Sequence, residues 1–316
     1  MKKIEILFVA LTIVLIAISS TKPAQALNGR SWVSGTGSGT DCTRTSPCAD
    51  FQTAHDATID GGEIACLDPG DFTFFTQLTI TKSITIDCGG TLGVYEFHHI
   101  QINAAGKIVR LRNLSIEGLP GGDGVAINFV NGAALYMENC TIFGWQANDG
   151  SGNGILFSPP AGVTAKLVVT DSVIENNGTS SGGGIVIKPA STAVADVTIE
   201  RTKVENNVYG FFATSANGGT IRGVVRDSVV SGNSAFGITA LGSAAKLLIE
   251  NTTVTRNQYG LVAENGASVL VSHSSMALNQ QGLLTSGGGT LSSFKNNNLS
   301  GNTTGNGPFT ATIAQQ

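Results

Sequence analysis

The sequence predicts an all-β solenoid, a parallel β-helix with three short strands to each coil, behind a short N-terminal capping helix. Three observations carry that expectation. First, residues 169–302 repeat one phrase six times, aliphatic–x–polar–x–x–aliphatic–x–x–Asn: VTDSVIENN, IERTKVENN, VRDSVVSGN, IENTTVTRN, VSHSSMALN and FKNNNLSGN. Two fainter copies precede them, LRNLSIEGL (111–119) and MENCTIFGW (137–145). Second, the polar position of the phrase, from Asn113 through Asn139, Asp171, Arg201, Asp227, Asn251 and His273 to Asn296, advances by 26, 32, 30, 26, 24, 22 and 23 residues. Steps settling at 22–24 fit one three-stranded coil and are far shorter than a propeller blade. Third, helix formers are scarce, whereas 41 Gly and abundant Thr, Ser, Asn, Val and Ile suit short strands and tight turns.

Taken in order, residues 1–26 read as a signal peptide. Lys2 and Lys3 form a basic start, Ile6 to Ile18 an apolar core, and Ala24-Gln25-Ala26 a small-x-small cleavage site. The apolar core is shorter than the roughly 20 residues of a membrane span, so a retained anchor is the weaker alternative and no membrane span is expected after cleavage. The protein is therefore expected to be exported, to the periplasm or outside the cell. Removing Lys2, Lys3, Lys22 and Glu5 leaves 15 basic against 21 acidic residues, a net charge of −6. An acidic chain with scattered cations gives no support for nucleic-acid binding.

Residues 27–62 form the expected cap. Cys42 and Cys48 in CTRTSPC are spaced to staple a small loop, which suits an exported protein. The segment SPCADFQTAHDATIDGG follows as the one convincing helix, with Pro47 in its first turn, Phe51, Ala54, Thr58 and Ile59 on one face, and Gly61-Gly62 as its stop. Such a helix would cover the apolar cross-section and open strand edges of the first coil. Cys66 and Cys88, about one repeat apart, are either a disulfide across neighbouring strands or two reduced buried thiols. Cys140 is left over and packs inside. No Cys–His spacing matches a zinc site.

The β-helix itself is expected over 63–305, with 306–316 as a C-terminal tail. Its first strands are EIACLD, QLTITK, SITIDC, HHIQIN and KIVRLRNLSI, each alternating apolar and polar residues. From residue 124 a second phrase recurs, Gly followed by an alternating run, as in GVAINF, GILFS, GIVIK, GFFAT, GITAL, GLVAE and GLLTS; third segments such as AALYME, AKLVVT and AKLLIE lie between. Stacking the coils produces columns. Ile116, Ile142, Ile174, Val204, Val230, Val254, Met276 and Leu299 form one aliphatic column, and Leu111, Met137, Val169, Ile199, Val225, Ile249, Val271 and Phe294 another. Small residues (Ser172, Thr202, Ser228, Thr252, Ser274) lie between them, and Asn177, Asn207, Asn233, Asn257, Asn279 and Asn302 would ladder at a bend.

These phrases, together with DFQTAHDATIDGGEIACLDPGDF and LTITKSITIDCGG, resemble the right-handed parallel β-helix repeat superfamily, the pectate-lyase-like group, over about residues 46–305. The resemblance implies a right-handed, three-sheet solenoid. It implies no single activity, because the group holds lyases, hydrolases, esterases, epimerases and adhesins.

The densest ionisable set falls on the early coils: Asp68, Asp71, Asp87, Glu96, His98, His99, Arg110, Arg112 and Glu117. If the chain cleaves a glycan, the catalytic candidates are His98, His99, Arg110, Arg112 and Glu138, since such chemistry needs paired carboxylates, or carboxylates with an Arg base. Ca²⁺ is implied only by the lyase version; otherwise no cofactor or metal is expected. The binding candidates are Tyr136 and the column Asp171, Arg201, Asp227, which equally reads as a ladder of alternating charges that supports the sheet. An outward apolar stripe, Leu156, Val186, Phe212, Val262 and Leu284, is either covered by the long turns near SPPAG and NGTSSGGG or serves self-association or a partner. No lyase, polygalacturonase or pectin-esterase signature matches these residues. The leading expectation is therefore an exported binding or cell-envelope structural protein whose partner is an extended polysaccharide; the rival is a polysaccharide lyase or glycoside hydrolase with its site on the early coils.

Overall fold

The computed structural model describes residues 27–314 except 74–76, 120, 121, 123, 148 and 150. The expected signal peptide lies outside the described residues. The rest is a right-handed parallel β-helix with one short helix, and every named strand pair is parallel. Three stacks of strands run along it. The short face is a ten-stranded sheet built from pieces such as 173–175, 203–205 and 229–231. The glycine-led face (for instance 209–214) and the long face (for instance 220–226) join into one nineteen-stranded sheet, because Ile100–Arg112 and Val125–Glu138 run around the corner between them without a break.

Registers follow the predicted columns. Ile116 lies beside Ile142, then Ile174, Val204, Val230, Val254, Met276 and Leu299. Tyr95 extends the column upward by one coil, on the unforeseen strand Gly93–Glu96. The second column holds from Leu111 to Val271, but its eighth member is Ser293, not Phe294. One extra residue between Ser293 and Leu299 slips the last coil, so Lys295, not Asn296, takes the left-handed corner position there.

Each coil turns its corners with residues in the left-handed region. One corner uses the predicted polar column, Asn113, Asn139, Asp171, Arg201, Asp227, Asn251 and His273. The other uses Asn176, Asn206, Gly232, Arg256, Leu278 and Gly301, each one residue before a ladder Asn. The ladder asparagines are therefore not there for their backbone conformation. Asn177 Oδ1 accepts from the Trp145 N–H at 3.2 Å. The side chains from Asn177 to Asn279 are buried, and each Oδ1 from Asn207 to Asn302 accepts from both the backbone N–H and the Nδ2 of the Asn one coil earlier, as Asn233 does from Asn207 at 3.0 and 3.2 Å. Their own Nδ2 groups donate to core carbonyls, Asn233 to that of Val204 at 3.2 Å. The phrase glycines follow from this. A Cβ on Gly237 would sit 2.7 Å from the Gly260 carbonyl and 2.8 Å from Asn257 Nδ2, so the corner has no room for a side chain.

Helix α1 spans Phe51–Ala57, shorter than the segment from Pro47 to Gly62. Asp50 is its N-cap, accepting from the Thr53 N–H at 2.7 Å, and Thr58 is already extended. Thr58 and Ile59 belong to the strand Thr58–Cys66 rather than to a helical face, and Ile59 is 41% exposed. HHIQIN and the first half of KIVRLRNLSI are one strand, which the left-handed Asn113 separates from Leu114–Glu117. Disulfides join Cys42 to Cys48 and Cys66 to Cys88, the latter tying adjacent coils with Cα atoms 4.8 Å apart. At the far end, 305–313 does not hang free: Gly305 bridges to Gln281, and Ala311–Thr312 pairs with Ser292 and Ser293.

Candidate functional site

The early-coil residues are not gathered into one cleft. His98 and His99 lie at the bend after Gly93–Glu96. The His98 ring stands edge-on to Phe97 at 4.8 Å, and His99 Nε2 lies 3.0 Å from Gln77 Nε2 and 3.3 Å from Gln101 Oε1. Gln101 pairs with Thr79 on the glycine-led face, whereas Arg110 pairs with Thr85 on the long face, past the left-handed Gly106. The histidines and arginines thus occupy different sides of a corner.

The charged candidates are largely closed on one another. Arg112 Nε meets Glu138 Oε2 at 3.1 Å. Arg201 grips Asp171 with two hydrogen bonds of 2.7 and 2.8 Å and also reaches Glu200, which Arg226 meets at 2.7 Å. This guanidinium holds the Asp171 carboxyl below its ordinary value. Asp227 Oδ1 accepts from Asn251 Nδ2 at 2.6 Å. In the column Asp171, Arg201, Asp227, the first two are thus bonded to each other along the corner, and Asp227 is bonded to Asn251 of the next coil. Cys140 is no nucleophile either, since burial pushes its thiol up to about 11.

Two assemblies do form. On the short face Asp71, Glu96 and Glu117 come together; burial first, then the charges of Asp71 and Glu117, raise the Glu96 carboxyl above its ordinary value, and Asp71 hydrogen-bonds it. On the long face Tyr136 lies between cations of the coils on either side, with the Arg110 guanidinium 5.1 Å and Lys166 Nζ 5.9 Å from its ring centre. Arg110 and Tyr136 are register neighbours, and the outward column continues through Val168, Thr198, Val224, Leu248 and Leu270. This is a half-buried apolar strip along the solenoid axis. It opens into a shallow depression of 270 Å³ lined by Val224, Leu248, Leu270, Arg222 and Lys246. Arg222 is bound to Asp196 at 2.6 Å; Arg110, Lys166 and Lys246 form no ion pair among the described residues.

The sequence singled out Tyr136, but not Lys166, which is two residues along the next coil's strand from the position that pairs with Tyr136. The register that joins them is set by stacking, not by local pattern. Sequence reading also passed over a ring ladder on the glycine-led face. Tyr209, Phe236 and Tyr259 stack at 5.4 Å, with Phe212 beside Tyr209 at 5.4 Å. Its signal was the aromatic residue before each phrase glycine in YGFFAT, FGITAL and YGLVAE. The outward stripe runs next to it, interrupted by Thr239 between Phe212 and Val262, and Val262 is already buried. Among the described residues no group of three His, Cys, Asp or Glu could hold a metal ion, and no helix is long and apolar enough to cross a membrane.

Comparison with known proteins agrees with this architecture. No curated protein matches in sequence. Among solved structures, the crystal structure of the pectate lyase Pel9A superposes with a TM-score of 0.56 at 14% identity, over 92% of this chain and 80% of that one. At that identity the likeness is one of fold alone. The family model for the right-handed β-helix region matches residues 79–224 and 183–311, which together span most of the solenoid, and the chain belongs to that family.

Proposed function

We propose that this is an exported binding protein that holds an extended polysaccharide along its long face, centred on Tyr136. The observation that carries the proposal is the pairing of that ring with Arg110 and Lys166 at the head of an open apolar strip, beside charged neighbours already paired with each other. A sugar ring offers an apolar face to aromatic and aliphatic side chains and hydroxyls to the flanking charges. A flat strip crossing successive coils at about 4.8 Å per strand suits a chain better than a small molecule. Arg110, Lys166 and Lys246, which have no ion-pair partner among the described residues, favour an anionic glycan. Two disulfides suit an oxidising compartment and hence export.

The test is affinity electrophoresis in gels containing uronate-rich or neutral glycans. Retardation by the former, weakened by added salt and reduced about tenfold in affinity by Tyr136→Ala, is expected. Equal retardation of the wild type and the variant would refute the assignment of the site.

A second reading, glycan cleavage, rests on the Asp71–Glu96–Glu117 group with its raised Glu96. Glycosidases, however, hold their two carboxyls about 5 Å or more apart, whereas Asp71 and Glu96 are in direct hydrogen-bond contact.

A further inference from the structure

We propose that His55 makes the N-terminal cap a proton-operated latch, which releases the helix from the edge of the first glycine-led strand when the imidazole takes up a proton.

Among the described residues, the strand Thr79–Ile80 pairs with Ile100–Arg112 on one side and with no strand on the other. On its other side two backbone N–H groups point at helix α1, and two side chains one turn apart receive them. Gln52 Oε1 accepts from Thr79 N at 2.7 Å, and His55 Nε2 accepts from Thr81 N at 3.3 Å. The helix therefore stands in for a missing strand, with side-chain acceptors replacing the backbone carbonyls of a preceding coil. Asp56 Oδ1 orients both, accepting from Gln52 Nε2 at 2.8 Å and lying 3.0 Å from His55 Nδ1. This network fixes the neutral tautomer, with the proton on Nδ1 and the lone pair on Nε2.

Protonation converts Nε2 from acceptor to donor, facing another donor. The His55 ring is buried, 3% exposed, so water cannot easily make good the loss. The charged groups near the ring are Asp56 of the helix and Lys82 of the turn after the strand. Lys82 Nζ is anchored to the carbonyls of His55 and Thr58 at 2.9 and 2.8 Å, and it would face a second cation. On the strands packed against the helix, Arg30 and Glu63 are paired with each other at 2.7 Å, and Asp60 is engaged by Lys107 and the Ser83 N–H.

Burial first, with Lys82 adding to it, holds the ring below its ordinary 6.5 despite the opposing influence of Asp56. The closed cap therefore binds a proton less readily than the open one. The latch holds fully above pH 6.5 and weakens as the pH falls below it.

Hydrogen exchange on the full chain, corrected for the intrinsic pH dependence of amide exchange, tests this. Protection of the Thr81 amide is expected to fall progressively as the pH drops below the ordinary imidazole value, while that of Ile102 stays constant. His55→Gln, which keeps an acceptor without a titrating group, should make the Thr81 protection independent of pH. Unchanged protection in the wild type, or the same fall in the variant, would overturn the proposal. If the variant does not fold, NMR titration of the wild type decides: the His55 ring and Thr81 amide resonances must move together with one midpoint, and separate midpoints refute the latch.

Discussion

Replacing Asn233 by Ala removes four hydrogen bonds at once: the Asn207 N–H and Nδ2 lose their acceptor, and the Val204 carbonyl and Asn257 Oδ1 lose a donor, all in a buried corner. Buried groups left unsatisfied cost about 1–3 kcal/mol each, so Asn233→Ala should lower unfolding stability by roughly 3 kcal/mol or more in chemical denaturation. Asp227→Asn, on the exposed corner of the same phrase, should move it by less than about 0.5 kcal/mol. Similar losses for both would mean that the ladder is not what holds the corner. The two positions are a few letters apart in one motif, yet one is buried and the other wet. The sequence showed the column but not its direction. The ladder is expected at a bend, yet it is the residue before each Asn that bends, because the Asn side chain has to point inward to bond along the stack.

At the scale of elements, the row Asp71–Glu96–Glu117 brings three carboxyl groups together across neighbouring strands of the short face. Glu96 has a raised folded-state value, so the fold favours its neutral form and bears the repulsion once the pH rises above it. Glu96→Gln should therefore raise the thermal midpoint at neutral pH and lose that advantage near pH ~4, where the carboxyl is protonated. A destabilised variant at neutral pH would show instead that the charge is held by an attractive partner. Elements were most legible where the repeat is tightest: the registers from Ile116 to Leu299 follow directly from spacing. They were least legible at the ends. The helix is shorter than its sequence segment because Asp50 capping and the extended Thr58 are decided by a few local bonds, and the strand Gly93–Glu96 leaves no signal because it lacks the phrase altogether.

Across the whole molecule, regularity itself limits what chemistry the solenoid can hold. Every coil repeats the last, so like positions stack about 4.8 Å apart, and charged side chains find partners on the next coil before they can converge on a substrate. Arg201 with Asp171, Arg226 with Glu200 and Arg112 with Glu138 are all of this kind. The candidate site was only half legible for the same reason. Residue types were visible in the sequence, but whether two of them share a face depends on corners such as Gly106, which separates His99 from Arg110. What the stacking does build is a long surface, with an aromatic ring and cations at one end and an apolar strip beyond. The measurement that bears most directly on binding against cleavage is incubation of the folded protein with the uronate-rich glycan that retards it, with and without Ca²⁺, followed by analysis of chain length. A binding protein leaves the chain length unchanged while remaining associated with the polymer; the release of shortened chains would contradict that role and move attention to Glu96 and its neighbours.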